Sequence, residues 1–107
     1  MFEFLYIGSS NLITAEQIVD SDGVVVTAAN SVTLSIYEPD GSLLSGGGLP
    51  LTLIEDQAIA GDYCGVLGYD ANLRRNVVYS LEIVVIKNSE RTTQRRLVKA
   101  VYKDFSK

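Results

Sequence analysis

The side chains that could do chemistry in this chain are carboxylates. Glu55 and Asp56 stand next to each other, the nearest approach to an acid–base pair. On a strand, adjacent residues point to opposite faces, so this pair does not converge there. Asp20 and Asp22, with Glu38 and Asp40, fall in two turn-like stretches and offer the hard oxygen ligands that calcium takes. Aspartate also belongs in such turns for local hydrogen bonding. The chain has no histidine and one cysteine, Cys64. That excludes a Ser-His-Asp set, a Cys/His zinc cluster within one chain, and an internal disulfide. Cys64 reads as a small buried apolar residue of a strand. Gly46-Gly47-Gly48 suggests a phosphate cradle, yet no Lys-Ser/Thr ending and no helical pattern follow. A mobile loop or hairpin tip is the expectation. The sequence thus predicts no catalytic residue, no cofactor and no metal.

The charges are unevenly placed. Residues 1–73 hold ten acids and neither lysine nor arginine, a net charge of −10. Residues 74–107 hold all nine bases and three acids, a net charge of +6, which together restores the overall −4. Such a division makes a molecule with complementary ends if the two parts stay apart in space. If their strands share sheets, the charges mix.

The elements that would position these groups read as strands. Tyr79, Leu81, Ile83 and Val85 alternate with Ser80 and Glu82, the period-two pattern of a half-buried strand. Leu73 to Ile86 therefore reads as a crossing between sheets followed by a central strand. Phe2 to Ile7 reads as a first or edge strand. Leu12 to Val19 fits a strand or a short helix, with strand favoured because Asp20-Ser21-Asp22-Gly23 follows as a turn. Val24 to Val26 resumes β character. Ser31 to Tyr37 alternates cleanly and stops at Glu38-Pro39-Asp40-Gly41, the strongest turn signal in the chain. Leu51 to Ile54 and Asp62 to Leu67 are short strands, with Gly65 and Gly68 marking a bulge or a close approach. Lys87 to Thr92 reads as a polar hairpin loop. In the last strand, Thr93 to Lys103, Val98, Ala100 and Tyr102 form one face. Arg95, Leu97, Lys99, Val101 and Lys103 form the other, a ladder of positive charge with apolar rungs between. Seven or eight short antiparallel strands at about ten-residue spacing indicate a β-sandwich.

The 107 residues suit a single domain with an adequate core. No stretch approaches the ~20 apolar residues that span a bilayer. The first ten residues lack the positive charge of a signal peptide. With no disulfide, folding in a cytoplasm is expected.

The run from Leu73 through Tyr79-Ser80-Leu81-Glu82-Ile83 resembles the tyrosine-corner stretch of immunoglobulin-like and fibronectin type III sandwiches. In those folds a tyrosine at the start of a late strand hydrogen-bonds back across the corner. The resemblance gives Tyr79 that part and Leu73 a packing part. Asn76 stands near where those families place a turn glycine or proline. A wider pattern is similar to small immunoglobulin-like proteins of tailed bacteriophages and prophages. Its pieces are Ser31–Gly41, Gly46–Gly48, Gly61-Asp62-Tyr63, Tyr79–Ile83 and Arg95–Tyr102.

That resemblance implies an all-β, immunoglobulin-like single domain and a virion component of the capsid, the head–tail junction or the tail. Such a protein is made in the host cytoplasm, has no enzymatic activity, and contacts other virion proteins or copies of itself. A homo-oligomer within an assembly is expected, with no nucleic acid and no membrane as partner. The candidate contact strip is Arg95, Leu97, Lys99, Val101 and Lys103. The alternative is a ligand-binding or adhesion module for glycan or protein, with Tyr37, Tyr63 and Tyr69 stacking on sugar rings. DNA binding would rest on the basic last strand, against the acidity of the whole chain.

Overall fold

In the computed structural model, which describes residues 3–103, every regular element is a strand. In chain order these are β1 (Glu3–Tyr6), β2 (Asn11–Ala15), β3 (Ser31–Tyr37) and β4 (Leu51–Thr52). There follow β5 (Ile54–Glu55), β6 (Tyr63–Leu67), β7 (Val78–Lys87) and β8 (Glu90–Val101). They form a five-stranded sheet in the order β1-β8-β7-β3-β4 and a three-stranded sheet in the order β2-β6-β5. The chain is all-β and sandwich-like.

β7 is central because its alternation matches its surroundings. Tyr79, Leu81, Ile83 and Val85 are buried, while Ser80 and Val84 on the other face are only half-buried. β3 runs antiparallel beside it and contributes Val32, Leu34 and Ile36 to the same side. β8 adds Val98 and Ala100, and the smaller sheet adds Ile13, Ala15, Tyr63 and Leu67 to one core. Full burial of side chains of this size stabilises by about 1.5–3 kcal/mol each before entropy is counted.

Two expectations for the sheets are corrected. The strands are not all antiparallel, because β1 pairs with β8 in parallel, from Glu3↔Val98 to Tyr6↔Val101. No hairpin joins these two strands, so no turn imposes an antiparallel direction. Nor are all strands short. β7 has ten residues and β8 twelve, and only Asn88 and Ser89 separate them. Asn88 adopts a positive φ of 55°, which lets the chain reverse in that space. Of the run Lys87 to Thr92, read as loop, Lys87 ends β7 and Glu90, Arg91 and Thr92 begin β8. Tyr102, expected on the inner face with Val98 and Ala100, lies past the end of β8 and is exposed.

Smaller differences have local causes. β2 stops at Ala15 because Gln17 turns to a positive φ of 52° and donates its N–H to Asp62 Oδ1 at 2.8 Å. Val24–Val26 forms no strand beyond a single bridge, Val19↔Val25, around the Asp20–Gly23 turn. Leu51–Ile54 is two strands, not one. The chain leaves the larger sheet after Thr52, buries Leu53 in the core, and enters the smaller sheet at Ile54. Gly65 makes room for that crossing, since a Cβ there would lie 2.8 Å from Leu53 Cδ2 and 3.3 Å from the Thr52 carbonyl. The predicted first strand begins at Phe2, which lies outside the described residues.

The charge division follows the sheets only in part. Every strand of the smaller sheet comes from residues 1–73, which hold no lysine or arginine. The larger sheet draws on both parts, so mixing occurs in that sheet alone.

Candidate functional site

The outward face of β8 displays Arg95, Leu97, Lys99 and Val101 in alternation with buried Val98 and Ala100. Arg95 and Leu97 are exposed, Lys99 and Val101 half-buried. Lys103 sits just past the strand, its ammonium 5.5 Å from the centre of the Tyr6 ring. Because β1 runs alongside, Phe4 stands opposite Lys99 and Tyr6 opposite Val101. Phe4 and Leu97 are each about half exposed, at 53% and 52%. The five predicted strip residues thus share one side of the larger sheet, joined by two aromatic residues that sequence reasoning did not include.

The strip is less positive than its residue types suggest. Glu82 on β7 lies directly opposite Arg95. Arg95 donates to Glu82 Oε2 from Nε at 2.9 Å, and its Nη2 lies 2.7 Å from the same oxygen. Tyr37 donates to Glu82 Oε1 at 3.4 Å, and the Arg95 guanidinium lies 6.0 Å from the Tyr37 ring centre. The two partners are unequal. Arg95 is largely exposed and returns to water cheaply, but Glu82 is only 9% exposed and depends on its partners. Sequence alternation placed Glu82 on this face; its burial comes from the long neighbours across both strand pairs.

The inward face of the same strand holds an arginine where an apolar residue would be usual. Arg96 donates from Nη1 to the Thr14 carbonyl at 2.8 Å, linking β8 to β2 across the two sheets. Its Nε lies 3.2 Å from Glu3 Oε2, an ion-pair distance without hydrogen-bond alignment. Beside it, Gln94 Oε1 is buried with no partner among the described residues. An unpaired buried acceptor costs about 1–3 kcal/mol.

The outward face of the smaller sheet is different in kind. Leu12 pairs with Val66, and Thr14 and Ile54 both pair with Cys64. Leu12 and Ile54 are 69% exposed and Val66 is 54% exposed, so three large apolar side chains face solvent around a half-buried thiol. Glu55 is the one charged residue in these strands, and its carboxylate accepts from the N–H groups of Ala28 at 2.9 Å and Gly61 at 3.2 Å. The strands here are too short for alternation alone to have marked this surface.

The corner residues come together closely. Tyr79 is fully buried, and its Oη accepts a hydrogen bond from the Arg74 backbone N–H at 2.7 Å. Leu73, the neighbour of that donor, belongs to the core. Asn76 takes a positive φ of 65°, the conformation a turn glycine would have supplied.

The remaining candidates resolve as structural groups. Asp20 Oδ1 accepts from the N–H groups of Asp22 and Val24. Asp40 accepts from the Ser42 hydroxyl at 2.6 Å and the Ser42 N–H at 2.9 Å, and these bonds hold its carboxyl below the ordinary aspartate range. Glu38 pairs with Arg74 and raises that guanidinium's pKa further above its ordinary value. Among the described residues no three His, Cys, Asp or Glu side chains gather as a metal-holding group. Asp56 caps the Ala58 N–H at 2.8 Å. The Gly46–Gly48 loop packs against the segment after β6, with Gly68 N–H donating to the Gly47 carbonyl at 2.9 Å. The three candidate stacking tyrosines do not share a surface. Tyr63 is buried, donating to the Val26 carbonyl and accepting from Ala29 N–H, both at 3.1 Å, while Tyr69 stands exposed. Sequence reasoning also missed Asn11, a buried side chain that accepts from Tyr6 N–H at 2.8 Å and donates to the Tyr6 and Ser9 carbonyls at 3.1 Å, tying β1 to β2.

No protein-family model, curated protein or solved structure matches this chain.

Proposed function

We propose that this chain is a non-enzymatic assembly protein, an immunoglobulin-like module that tailed bacteriophages build into the capsid, the head–tail junction or the tail. The fold part of the reading is supported by strand order. Naming β2 to β8 as B, C, C′, D, E, F and G gives G-F-C-C′ in one sheet and B-E-D in the other. The first strand departs from the constant-domain pattern by lying along G. The Tyr79–Arg74 hydrogen bond has the form of a tyrosine corner.

The observation that carries the assembly reading is the contrast between the two outer faces. One bears Arg95, Lys99 and Lys103 around Leu97, Val101 and Phe4. The other bears Leu12, Ile54 and Val66, on strands from the part of the chain without a basic residue. Both offer apolar area, but only the first is ringed by cations; the strands of the second hold no base and a single acid, Glu55. Laid face to face between successive copies, they make a head-to-tail contact, which closes into rings or extends as filaments. The larger sheet's face equally fits an acidic surface on another virion protein.

The single cysteine makes the test direct. Wild-type chain is mixed with a Cys64→Ser/Leu97→Cys chain and treated with a short bis-maleimide. The expected product is a mixed dimer, formed only when both chains are present. A product from wild-type chain alone would mean the smaller sheets meet each other, and absence of any product would remove the head-to-tail contact.

A further inference from the structure

We infer that the open edge of β8, from Arg91 to Arg95, is a docking site for an extended segment of a partner protein that has acidic residues at alternate positions. The inference builds on the assembly reading and adds to it a contact of a different kind, made by backbone.

β8 is longer than the strand that covers its outer side. β1 pairs with Val98–Val101 and goes no further among the described residues. On the other side, β7 pairs with β8 in unbroken register from Lys87↔Glu90 to Val78↔Lys99. Beyond that ladder, Ala100 N–H donates to the Val77 carbonyl and Asn76 N–H to the Ala100 carbonyl, so Ala100 faces β7. Val101 faces β1, where its carbonyl accepts from Ile7 N–H at 2.8 Å. With no bulge between, alternation directs the N–H and C=O groups of Arg91, Thr93 and Arg95 away from β7. These groups find no backbone partner among the described residues. They form a vacant half-ladder directly in line with β1.

The space beside this edge is shaped for side chains of an incoming strand. A cleft of about 180 Å³ runs between Ile18 and Val19 on one wall and Thr92 and Gln94 on the other. The buried, partnerless Oε1 belongs to Gln94, a wall of this cleft. Every second residue of an added strand would point here. The intervening residues would point outward, beside Arg91, Thr93 and Arg95. That stretch has two cations, and the one carboxylate against it, Glu82, is already paired with Arg95, so acidic cross-strand neighbours are favoured. A second copy entering by the same edge is disfavoured. Antiparallel pairing centred on Thr93 would set Arg91 against Arg95 of the other chain twice over. Strand addition of this type takes affinity from main-chain bonds and selectivity from alternate side chains.

The test uses the full chain and an array of octapeptides. Peptides alternating Glu with Val or Thr are compared with scrambled peptides of the same composition and with Lys-for-Glu versions. The expected result is at least about tenfold stronger retention of the alternating acidic set, because a scrambled order misplaces the cross-strand charges. Thr93→Pro removes one outward N–H without touching the β7 ladder, and should abolish retention while the melting transition persists. Arg91→Glu should transfer the preference to the lysine peptides. Equal retention of scrambled peptides, retention unchanged by both substitutions, or no retention at all would overturn the inference. So would concentration-dependent self-pairing that the Thr93→Pro chain loses. The cross-linking experiment reports on the sheet faces and this one on the edge, so either contact can fail without the other.

Discussion

Tyr79 does two jobs with one side chain. Its ring fills the core at the start of β7, and its hydroxyl accepts from the Arg74 N–H in the preceding connection. Tyr79→Phe keeps the ring and leaves that N–H without its acceptor. The expected loss is about 1–2 kcal/mol, the cost of an unmade bond rather than of lost packing. Urea denaturation should show a lower midpoint with an unchanged slope, since the surface exposed on unfolding is the same. A midpoint equal to wild type would mean that water replaces the tyrosine at this corner. Glu82 poses a related problem for sequence reading. Its position opposite Arg95 follows from alternation and strand pairing, but its burial depends on Tyr37 from a strand more than forty residues earlier, which no local pattern reveals.

The connecting elements show how a loop composition can mislead. Three consecutive glycines read as mobility, yet the loop is fixed against the chain after β6. Gly46 has a φ of 86°, and a Cβ there would lie 2.5 Å from the Asp70 carbonyl oxygen. Gly46→Ala therefore combines backbone strain with a clash against backbone, and should cost roughly 3 kcal/mol. Thermal unfolding followed by circular dichroism measures it; a loss under about 0.5 kcal/mol, the level of a neutral surface change, would contradict the packing described. β3, β6 and β7 were legible because each buries one face and alternates accordingly. The first half of β8 was not, because Arg91, Thr92, Thr93 and Gln94 are polar on both faces of a strand that lacks an outer neighbour. The parallel β1–β8 pair was illegible for another reason: partner choice between distant strands is decided by what remains unpaired once the hairpins form. The shared outward face of Arg95, Leu97, Lys99 and Val101 followed from parity along β8, whereas the apolar face of the smaller sheet rests on strands of two to five residues.

At the scale of the whole molecule, the proposed association would depend on where charge is placed more than on the net charge. If the two outer faces meet, the contact weakens as salt screens the charges, with a Debye length of about 10 Å at 0.1 M. Sedimentation velocity should show larger species at low ionic strength, and Lys99→Glu should reduce them while leaving the melting temperature nearly unchanged. A monomer at every salt concentration, with no retention of virion proteins, would remove the assembly role. Mass spectrometry of purified particles tests the proposed location in the same way.

The parallel pairing of β1 with β8 also sets an order of events. The two strands lie roughly 95 residues apart in sequence, and closing a loop of that length costs on the order of 4 kcal/mol in chain entropy. β7 and β8 meet across two residues at almost no such cost. Loop-closure entropy therefore favours the hairpin first and the four-residue β1, with β8 as its single strand neighbour among the described residues, last. Until β1 is placed, the free edge of β8 extends from its first half to its whole length. On that order, a newly made chain would hold that entire strand open to its own first strand or to another molecule's.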